Sequence, residues 1–193
     1  MAKRKYEFQP DRPRGSMLDK LYLTVRQRAA ILKWALYALV LLVLSVVQDV
    51  VLCRLSLFGG TTDLVPGAIF MISMILGAES CSIFALISAA LFQFSGTGPG
   101  YYIIALIPVL AIGSAMFRQV FLRKGVAANF LCAASAIVLY EALLFVIGTV
   151  AGQTAFFRWP SFLSTAVLTL LCSFALYPLL NAIDKIGGET WKR

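Results

Sequence analysis

The stretch LYALVLLVLSVV at residues 36–47 decides the fold class, because it holds twelve consecutive residues without a charge. With its flanks it forms an apolar segment from about Trp34 to Leu52, close to the ~20 helical residues that cross a hydrocarbon core of ~30 Å. The preceding polar region and the apolar segment are both too long for a cleaved signal peptide, and no small-residue cleavage site follows. We therefore predict that this segment is a transmembrane helix.

The composition of the whole chain agrees with this interpretation. Of its 193 residues, 60% are hydrophobic and 13% are charged, whereas soluble domains have about 45–50% apolar and about 25% charged residues. The net charge is +8, and nine of the 17 Lys and Arg residues precede residue 34. A basic tail beside apolar segments indicates contact with anionic lipid and argues against nucleic acid as a partner.

Five further apolar segments follow the first one. The two after it are shorter than a span, so they either cross as short helices or form one re-entrant hairpin. The sequence thus predicts an all-α, polytopic membrane bundle with about six transmembrane segments. The five segments are Leu64–Gly77, Ser80–Phe94, Tyr101–Phe117, Val126–Ala151 and Pro160 to about Ile183.

We divide the chain into four parts by composition. Residues 1–15 are predicted to be a disordered basic cytoplasmic tail. Residues 16–33 have the apolar spacing of an amphipathic juxtamembrane helix, with the equal alternative that they are the end of the first span. Residues 34–184 form the transmembrane domain, and residues 185–193 form a cytoplasmic tail.

The distribution of basic residues predicts the orientation of the chain. With six passes and a cytoplasmic N-terminus, the inner segments hold 15 Lys and Arg residues, and the outer segments hold only Arg54 and Arg158. This asymmetry follows the positive-inside rule and puts both termini in the cytoplasm. The basic residues that we predict to be lipid-facing anchors are Lys20, Arg26, Arg28, Lys33, Arg118, Arg123 and Lys124.

A few polar residues interrupt the apolar segments. Glu141 lies near the middle of the fifth segment, where a charge costs about 2.5–3.5 kcal/mol. We expect it to be protonated, hydrogen-bonded to a neighbouring helix, or facing a cavity or a partner subunit. Its role would be either a contact between helices or with a partner, or a proton or substrate site. Asp49 is expected to reach water and Asp63 to lie at the outer edge. The candidate partner-binding or intramembrane polar residues are Gln48, Asp49, Asp63, Gln93 and Glu141.

Signals of catalysis or cofactor binding are missing from the sequence. The chain has no histidine, no phosphate-binding glycine loop, and no HExxH or GxSxG motif. Its four cysteines have no CxxC spacing. Asp49 with Glu141 is the only plausible pair of carboxylates for hydrolysis. We therefore predict a protein that is not an enzyme and that has no metal or cofactor.

Three stretches resemble a known family. VVQDVVLCRLSLFGGTTDL (46–64) is similar to a pattern in which a Gln in the first span is followed by a Leu-Phe-Gly turn and then by Pro-Asp-Leu at the start of the next segment. Thr62 stands in place of the proline. GAESCSIFALISAALFQFSGTGPG (77–100) is similar to a small-residue helix with a glycine loop, although Ser80, Phe84 and Ser88 replace glycines and Gln93 replaces an aspartate. WPSFLSTAVLTLLCSFALYPLL (159–180) is similar to a final helix with Pro and Thr. From about Ala35 to Ile183 the chain thus resembles MreD, the membrane subunit of the bacterial rod-shape complex.

The resemblance implies a function and its alternative. An MreD-like protein is a non-enzymatic scaffold of the bacterial cytoplasmic membrane that binds MreC, a bitopic protein, and works beside MreB filaments, RodA and its penicillin-binding transpeptidase. Gln48, Asp49, the two short segments and the glycine loop would bind the partner. The folds of MreD-like proteins are similar to those of the substrate-binding subunits of energy-coupling-factor vitamin transporters. In that alternative, Glu141, Asp49 and Gln93 would line a small-molecule cavity, although the bulky first span disfavours it.

Overall fold

The computed structural model describes residues 25–54, 59–95, 100–121 and 125–186. This part of the chain contains six α-helices and no β-strand, with 3-10 turns at Leu52–Arg54 and Phe156–Arg158. The helices are α1 (Val25–Val50), α2 (Leu64–Leu76), α3 (Ala78–Phe94), α4 (Ile103–Phe121), α5 (Val126–Val150) and α6 (Trp159–Lys185).

Four of these helices, α1, α4, α5 and α6, are long and apolar enough to cross a membrane. They indicate a multi-pass membrane protein and confirm the predicted all-helical class. α2 and α3 are shorter apolar helices. The predicted count of about six transmembrane segments therefore stays a prediction, as does the similarity to vitamin-transporter subunits.

Helix α2 forms the centre of the bundle. All of its 13 residues are buried, and it packs against each of the other five described helices. Its sequence, LVPGAIFMISMIL, is apolar on every side, which is typical of a helix surrounded by protein. Gly67 allows α6 to approach closely, because a Cβ atom there would clash with the hydroxyl group of Ser173.

A tight turn connects α2 to α3 at one end of the bundle. Gly77, with a φ of 84°, is the single residue between them. At this end Arg118 of α4 donates hydrogen bonds to the Met74 carbonyl and to Asn129 Oδ1 of α5. We call it the basic end, since Lys33 and Lys185 also lie there. The opposite end carries the exposed aromatic residues of Phe156–Trp159.

The outward faces of the long helices are covered by apolar side chains. Leu42 on α1, Val109 on α4 and Leu171 on α6 are each more than 60% exposed. Such continuous apolar surface is rare on soluble monomers. It fits hydrocarbon as the solvent around these faces.

Two predicted lipid anchors point into the protein. Lys33 is 2% exposed and forms an ion pair with Asp184, because α6 brings a carboxylate to the α1 face that carries Lys33. Arg118 is half-buried, because the carbonyl end of α2 supplies an acceptor for its guanidinium group. The prediction of lipid contact is wrong for both, whereas Arg28 is exposed and its contact with lipid stays a prediction.

Some predictions fall outside the described part. Outside it lie residues 1–24, which include half of 16–33, and also most of the C-terminal tail, Lys20, Arg123, Lys124 and the side chain of Arg26. The described part of the predicted amphipathic helix, from Val25, continues into α1 without a break at residue 33. Both interpretations of this segment, an amphipathic helix on the membrane and the end of the first span, stay predictions.

Candidate functional site

A groove between α1 and α3 is a candidate binding surface of the bundle. Its volume is about 780 Å³, and Val65 of α2 lies at its base. Leu42 of α1 and Ile87 of α3 line it and are exposed on the outward side. We call it the α1–α3 groove, and it is open to the side of the bundle that lipid would cover.

The lining of the α1–α3 groove is apolar with small polar interruptions. Ala38 and Ser45 on α1 and Ser80 and Ser88 on α3 line it, and small side chains of this kind allow a further helix to approach closely in a membrane. Near the basic end, the rings of Trp34 and Phe84 bring the two walls together, with 5.8 Å between their centroids.

One charged residue, Glu79, is among the residues that line the groove. It lies in the first turn of α3 and is exposed. This position is at the basic end, directly after the turn at Gly77. A cationic group of a bound helix would therefore meet a carboxylate at that end of the groove.

Gln48 is buried behind this groove and holds the start of α2. Its side-chain oxygen accepts a hydrogen bond from the backbone N–H of Val65, at an N···O distance of 2.8 Å. The first N–H groups of a helix have no partner within the helix. Gln48 therefore satisfies a donor that would otherwise be unpaired inside the bundle. The sequence pointed to Gln48 as a partner-binding candidate, and the structure gives it this internal contact.

Asp63 and Glu141 come together inside the bundle, and we call them the carboxyl pair. Glu141 on α5 is 5% exposed, and its Oε1 atom has no hydrogen-bond partner. The two carboxyl groups interact electrostatically. Asp63 is partly buried, and its backbone N–H donates to the hydroxyl group of Thr169 on α6, with an N···O distance of 3.0 Å. This contact holds Asp63 beside α6, and the expectation that Asp63 lies at the outer edge stays a prediction.

The depth of Asp63 follows from the packing of the loop before α2. Thr169 lies ten residues into α6, about 15 Å from its first residue. Gly60 packs against the backbone of Ser161 and Thr165 in the two preceding turns. The chain before α2 thus runs along α6 toward the middle of the bundle. The sequence could not show this path of the chain, because the short length of the apolar segment that forms α2 was its only indication.

Asp49 and Gln93 do not join the carboxyl pair. Asp49 is partly buried near the end of α1, and Gln93 is partly buried near the end of α3. Each has a side-chain oxygen that is buried without a hydrogen-bond partner. Neither residue lines the α1–α3 groove. The carboxyl group that interacts with Glu141 is that of Asp63, whereas the sequence named Asp49 as the only plausible second carboxylate for hydrolysis.

The structure adds residues that the sequence did not single out. Tyr140 is 1% exposed, and its hydroxyl group has no hydrogen-bond partner. Tyr37, one helical turn after Lys33, has its ring 6.0 Å from the Lys33 ammonium group. Lys33, Tyr37, Leu44 and Gln48 are all buried and share one face of α1, a spacing that could have marked Lys33 as inward-facing.

Metal binding has no candidate cluster in the described ranges, where no group of three or more His, Cys, Asp or Glu side chains could hold an ion. Cys81 and Cys132 are buried free thiols, and Cys172 is a partly buried one.

Comparisons with known proteins give no relative: no family model, no curated protein and no solved structure matches this chain.

Proposed function

We propose that this protein is a non-enzymatic, MreD-like scaffold of the bacterial cytoplasmic membrane, with both termini in the cytoplasm. Its partner would be an MreC-like bitopic protein, whose transmembrane helix would occupy the α1–α3 groove. Through this partner the scaffold would support side-wall peptidoglycan synthesis beside MreB filaments, RodA and its penicillin-binding transpeptidase. The three stretches of sequence resemblance support the family, and the groove supports the mode of binding.

The observation that carries the proposal is the shape and chemistry of the groove. It opens sideways, is lined by apolar and small side chains, and has about 780 Å³ of space. Helix association in membranes depends on close packing of small residues, because apolar burial gives little drive within lipid. A groove with Ala38, Ser45 and Ser88 on facing walls suits a helix better than a flat surface would.

Charge complementarity supports the same occupant. In the proposed orientation the basic end is cytoplasmic, so Glu79 lies at the cytoplasmic end of the groove. Single-pass proteins carry Lys and Arg on the cytoplasmic flank of their transmembrane helix. A bitopic partner with a cytoplasmic N-terminus would therefore place a cation beside Glu79. The remaining basic residues at this end would contact anionic lipid.

The test is site-specific photo-crosslinking in cells that express this chain together with an MreC-like protein. A photoreactive residue at Ile87, which lines the groove, should capture the transmembrane helix of the partner. The matched control is the adjacent Leu86, which is similarly exposed on α3 but does not line the groove. Equal capture at both positions, or at Leu86 alone, would place the partner elsewhere.

Affinity purification in mild detergent tests the family itself. Recovery of an MreC-like protein is the expected result. Recovery of transporter ATPases with a bound vitamin would overturn the proposal in favour of the vitamin-transporter alternative. In that alternative Glu141, Asp49 and Gln93 would line the substrate cavity, and none of the three lines the α1–α3 groove.

A further inference from the structure

The turn between α5 and α6 carries Phe157, which at 90% is the most exposed large apolar side chain of the described ranges. Phe156 before it is 78% exposed, and Trp159 at the start of α6 is 56% exposed. Arg158 lies between them in sequence and is also exposed. We call Phe156–Trp159 the aromatic tip. A cluster of exposed large apolar side chains marks an interaction surface, so something other than water should cover it.

The backbone that leads to the aromatic tip is held by the end of α5. Gly152 has a φ of 70°, and the backbone N–H groups of Gln153 and Thr154 both donate to the carbonyl oxygen of Gly148, with N···O distances of 2.9 and 3.0 Å. Hydrogen bonds of this kind close the C-terminus of a helix. Because these donors are satisfied within the turn, the turn suits a layer that holds less water than the bulk solvent.

Ring contacts fix the aromatic tip to the bundle. The ring centroid of Phe156 lies 6.3 Å from that of Phe145 on α5, and the Phe145 centroid lies 5.7 Å from that of Phe162 on α6. These three rings join the ends of the two helices. Phe156 thus touches the bundle on one side, whereas the more exposed Phe157 is free to enter the surroundings.

The height of the aromatic tip follows from the contacts of α6. Asp184 pairs with Lys33 at the basic end, and Trp159 starts the same helix 25 residues earlier, about 37 Å away along the axis. A tilt of ~20° shortens this only to about 35 Å. The hydrocarbon core is ~30 Å thick. With the ion pair at one boundary of that core, the aromatic tip lies about 5–7 Å beyond the other, in the headgroup layer.

The chemistry of the aromatic tip fits this layer. Trp side chains gather at membrane–water interfaces because their rings are amphipathic, and the guanidinium group of Arg158 matches the geometry of a phosphate. Below the tip, the exposed Leu163 and Leu171 continue an apolar face along α6. The surface of the aromatic tip is therefore continuous with the surface that hydrocarbon would cover.

Other exposed aromatic residues lie at the same end of the bundle. Phe94 ends α3 and is 83% exposed, and Tyr101 precedes α4 and is 84% exposed. Aromatic residues gathered at one end of a helical bundle are typical of a membrane–water interface. They support a lipid surface as the occupant, because a single protein ligand would not need aromatic residues around the bundle.

We infer that the aromatic tip is a membrane anchor, which inserts its three aromatic side chains among phospholipid headgroups while Arg158 binds a lipid phosphate. The leaflet is the one at the end opposite the basic end. The anchor fixes the height of α5 and α6 in the bilayer. It thereby also fixes the loop before α2, since Gly60 packs against α6. This role depends neither on the proposed partner nor on the α1–α3 groove.

The experiment measures the depth of the aromatic tip in vesicles of phosphatidylcholine and phosphatidylglycerol that contain the full-length protein alone. Phe replaces Trp34, Trp159 and Trp191, and Phe157→Trp supplies the only fluorophore. Bromine atoms on the acyl chains close to the headgroups should quench it more strongly than bromine atoms at the chain ends. Acrylamide in the water should quench it weakly. The control Leu171→Trp, in the same background, should show the opposite preference for bromine depth.

Two results would overturn the inference. Strong quenching of the tryptophan at position 157 by acrylamide, with little quenching by either lipid, would place the aromatic tip in water and leave it as a surface for a protein partner. Stronger quenching by bromine at the chain ends would place it within the hydrocarbon. If the triple replacement does not fold, the native Trp159 serves as the fluorophore after Trp34→Phe and Trp191→Phe alone, with the same expected order.

The charge of Arg158 gives a second readout. Arg158→Glu should increase quenching of the tip fluorophore by acrylamide, because lipid phosphates repel a carboxylate, and the increase should grow with the fraction of phosphatidylglycerol. Arg158→Lys keeps the positive charge and should resemble the parent protein. Equal quenching of the two variants at every lipid composition would show that Arg158 does not bind a lipid phosphate.

Discussion

The Lys33 ammonium group forms an ion pair with the Asp184 carboxylate, and this pair joins the first helix to the end of the last one. The two side chains are 2% and 15% exposed. The ring of Tyr37 lies beside the ammonium group. A basic residue that hydropathy assigns to the membrane surface is thus part of the interior of the bundle.

Removal of one member of this pair should be strongly destabilising. Lys33→Met leaves the Asp184 carboxylate buried without its partner, which costs about 3–5 kcal/mol of unfolding free energy. The double variant Lys33→Met with Asp184→Leu should recover most of this loss, because an apolar pair of similar volume replaces two charges. Thermal unfolding in detergent measures both, with the exposed Lys185→Met as control. Equal stability of the single and double variants would contradict the expectation.

Arg118 should not be replaceable by lysine. Its guanidinium group donates to the Met74 carbonyl and to Asn129 Oδ1, and the more compact ammonium group of lysine is expected to lose one of these contacts. Hydrogen bonds from charged groups contribute about 1.5–3 kcal/mol, so Arg118→Lys should lower the unfolding free energy by about that amount. Arg158→Lys, at an exposed position, is the matched control and should have little effect.

The loop before α2 should not tolerate a methyl group at Gly60. A Cβ atom there would lie 2.7 Å from the Ser161 carbonyl oxygen and 2.8 Å from the Thr165 nitrogen. Both are backbone atoms and cannot rotate away, so Gly60→Ala should destabilise the protein by about 1–3 kcal/mol. In Gly113→Ala the new Cβ atom meets nothing within 4 Å. This control should unfold at the same temperature as the wild type or higher.

Gln48 should matter for stability through its contact with α2. Gln48→Leu removes the acceptor of the Val65 N–H and leaves a buried donor unpaired, at a cost of about 1–3 kcal/mol. Gln153→Leu, on an exposed side chain, is the control for the same chemical change. Reduced binding of the partner by Gln48→Leu with unchanged melting temperature would instead indicate direct contact with the partner.

Reversal of the charge in the α1–α3 groove should weaken binding of a bitopic partner. Glu79→Lys places like charges together where the partner carries its cytoplasmic Lys or Arg, and co-purification should fall at low ionic strength. Glu79→Gln should have a smaller effect, because it removes attraction without adding repulsion. An acidic substitution of that basic residue in the partner should restore binding to Glu79→Lys. Co-purification that is unaffected by either variant would exclude Glu79 from the interface.

Helix positions could be predicted well from the sequence, and the reason is local. Val126–Ala151 was predicted as one segment and the helix is Val126–Val150, because an apolar run in lipid satisfies its backbone hydrogen bonds only as a helix. α4 continues to Phe121, beyond the predicted end at Phe117, because Arg118 finds its acceptors inside the bundle and does not end the helix.

Contacts between polar residues could not be predicted, because they depend on which helices are neighbours. Asp63 and Glu141 are 78 positions apart, and they meet because the chain before α2 packs along α6. Sequence reasoning identified Glu141 as an unusual residue and named Asp49 as the only plausible second carboxylate for hydrolysis. It had no means of recognising that Tyr140 lies beside the pair.

The sequence by itself determined that this chain folds as apolar helices. Exposure of long uncharged segments to water is unfavourable, and inside a bilayer a helix satisfies the backbone hydrogen bonds of such a segment internally. Only the tertiary structure decided that α2 lies at the centre, that Lys33 points inward and that a groove stays open between α1 and α3. Those features depend on the fit between helices that are distant in sequence. Small residues such as Gly60 and Gly67 permit that fit, but the sequence does not show which residues pack against them.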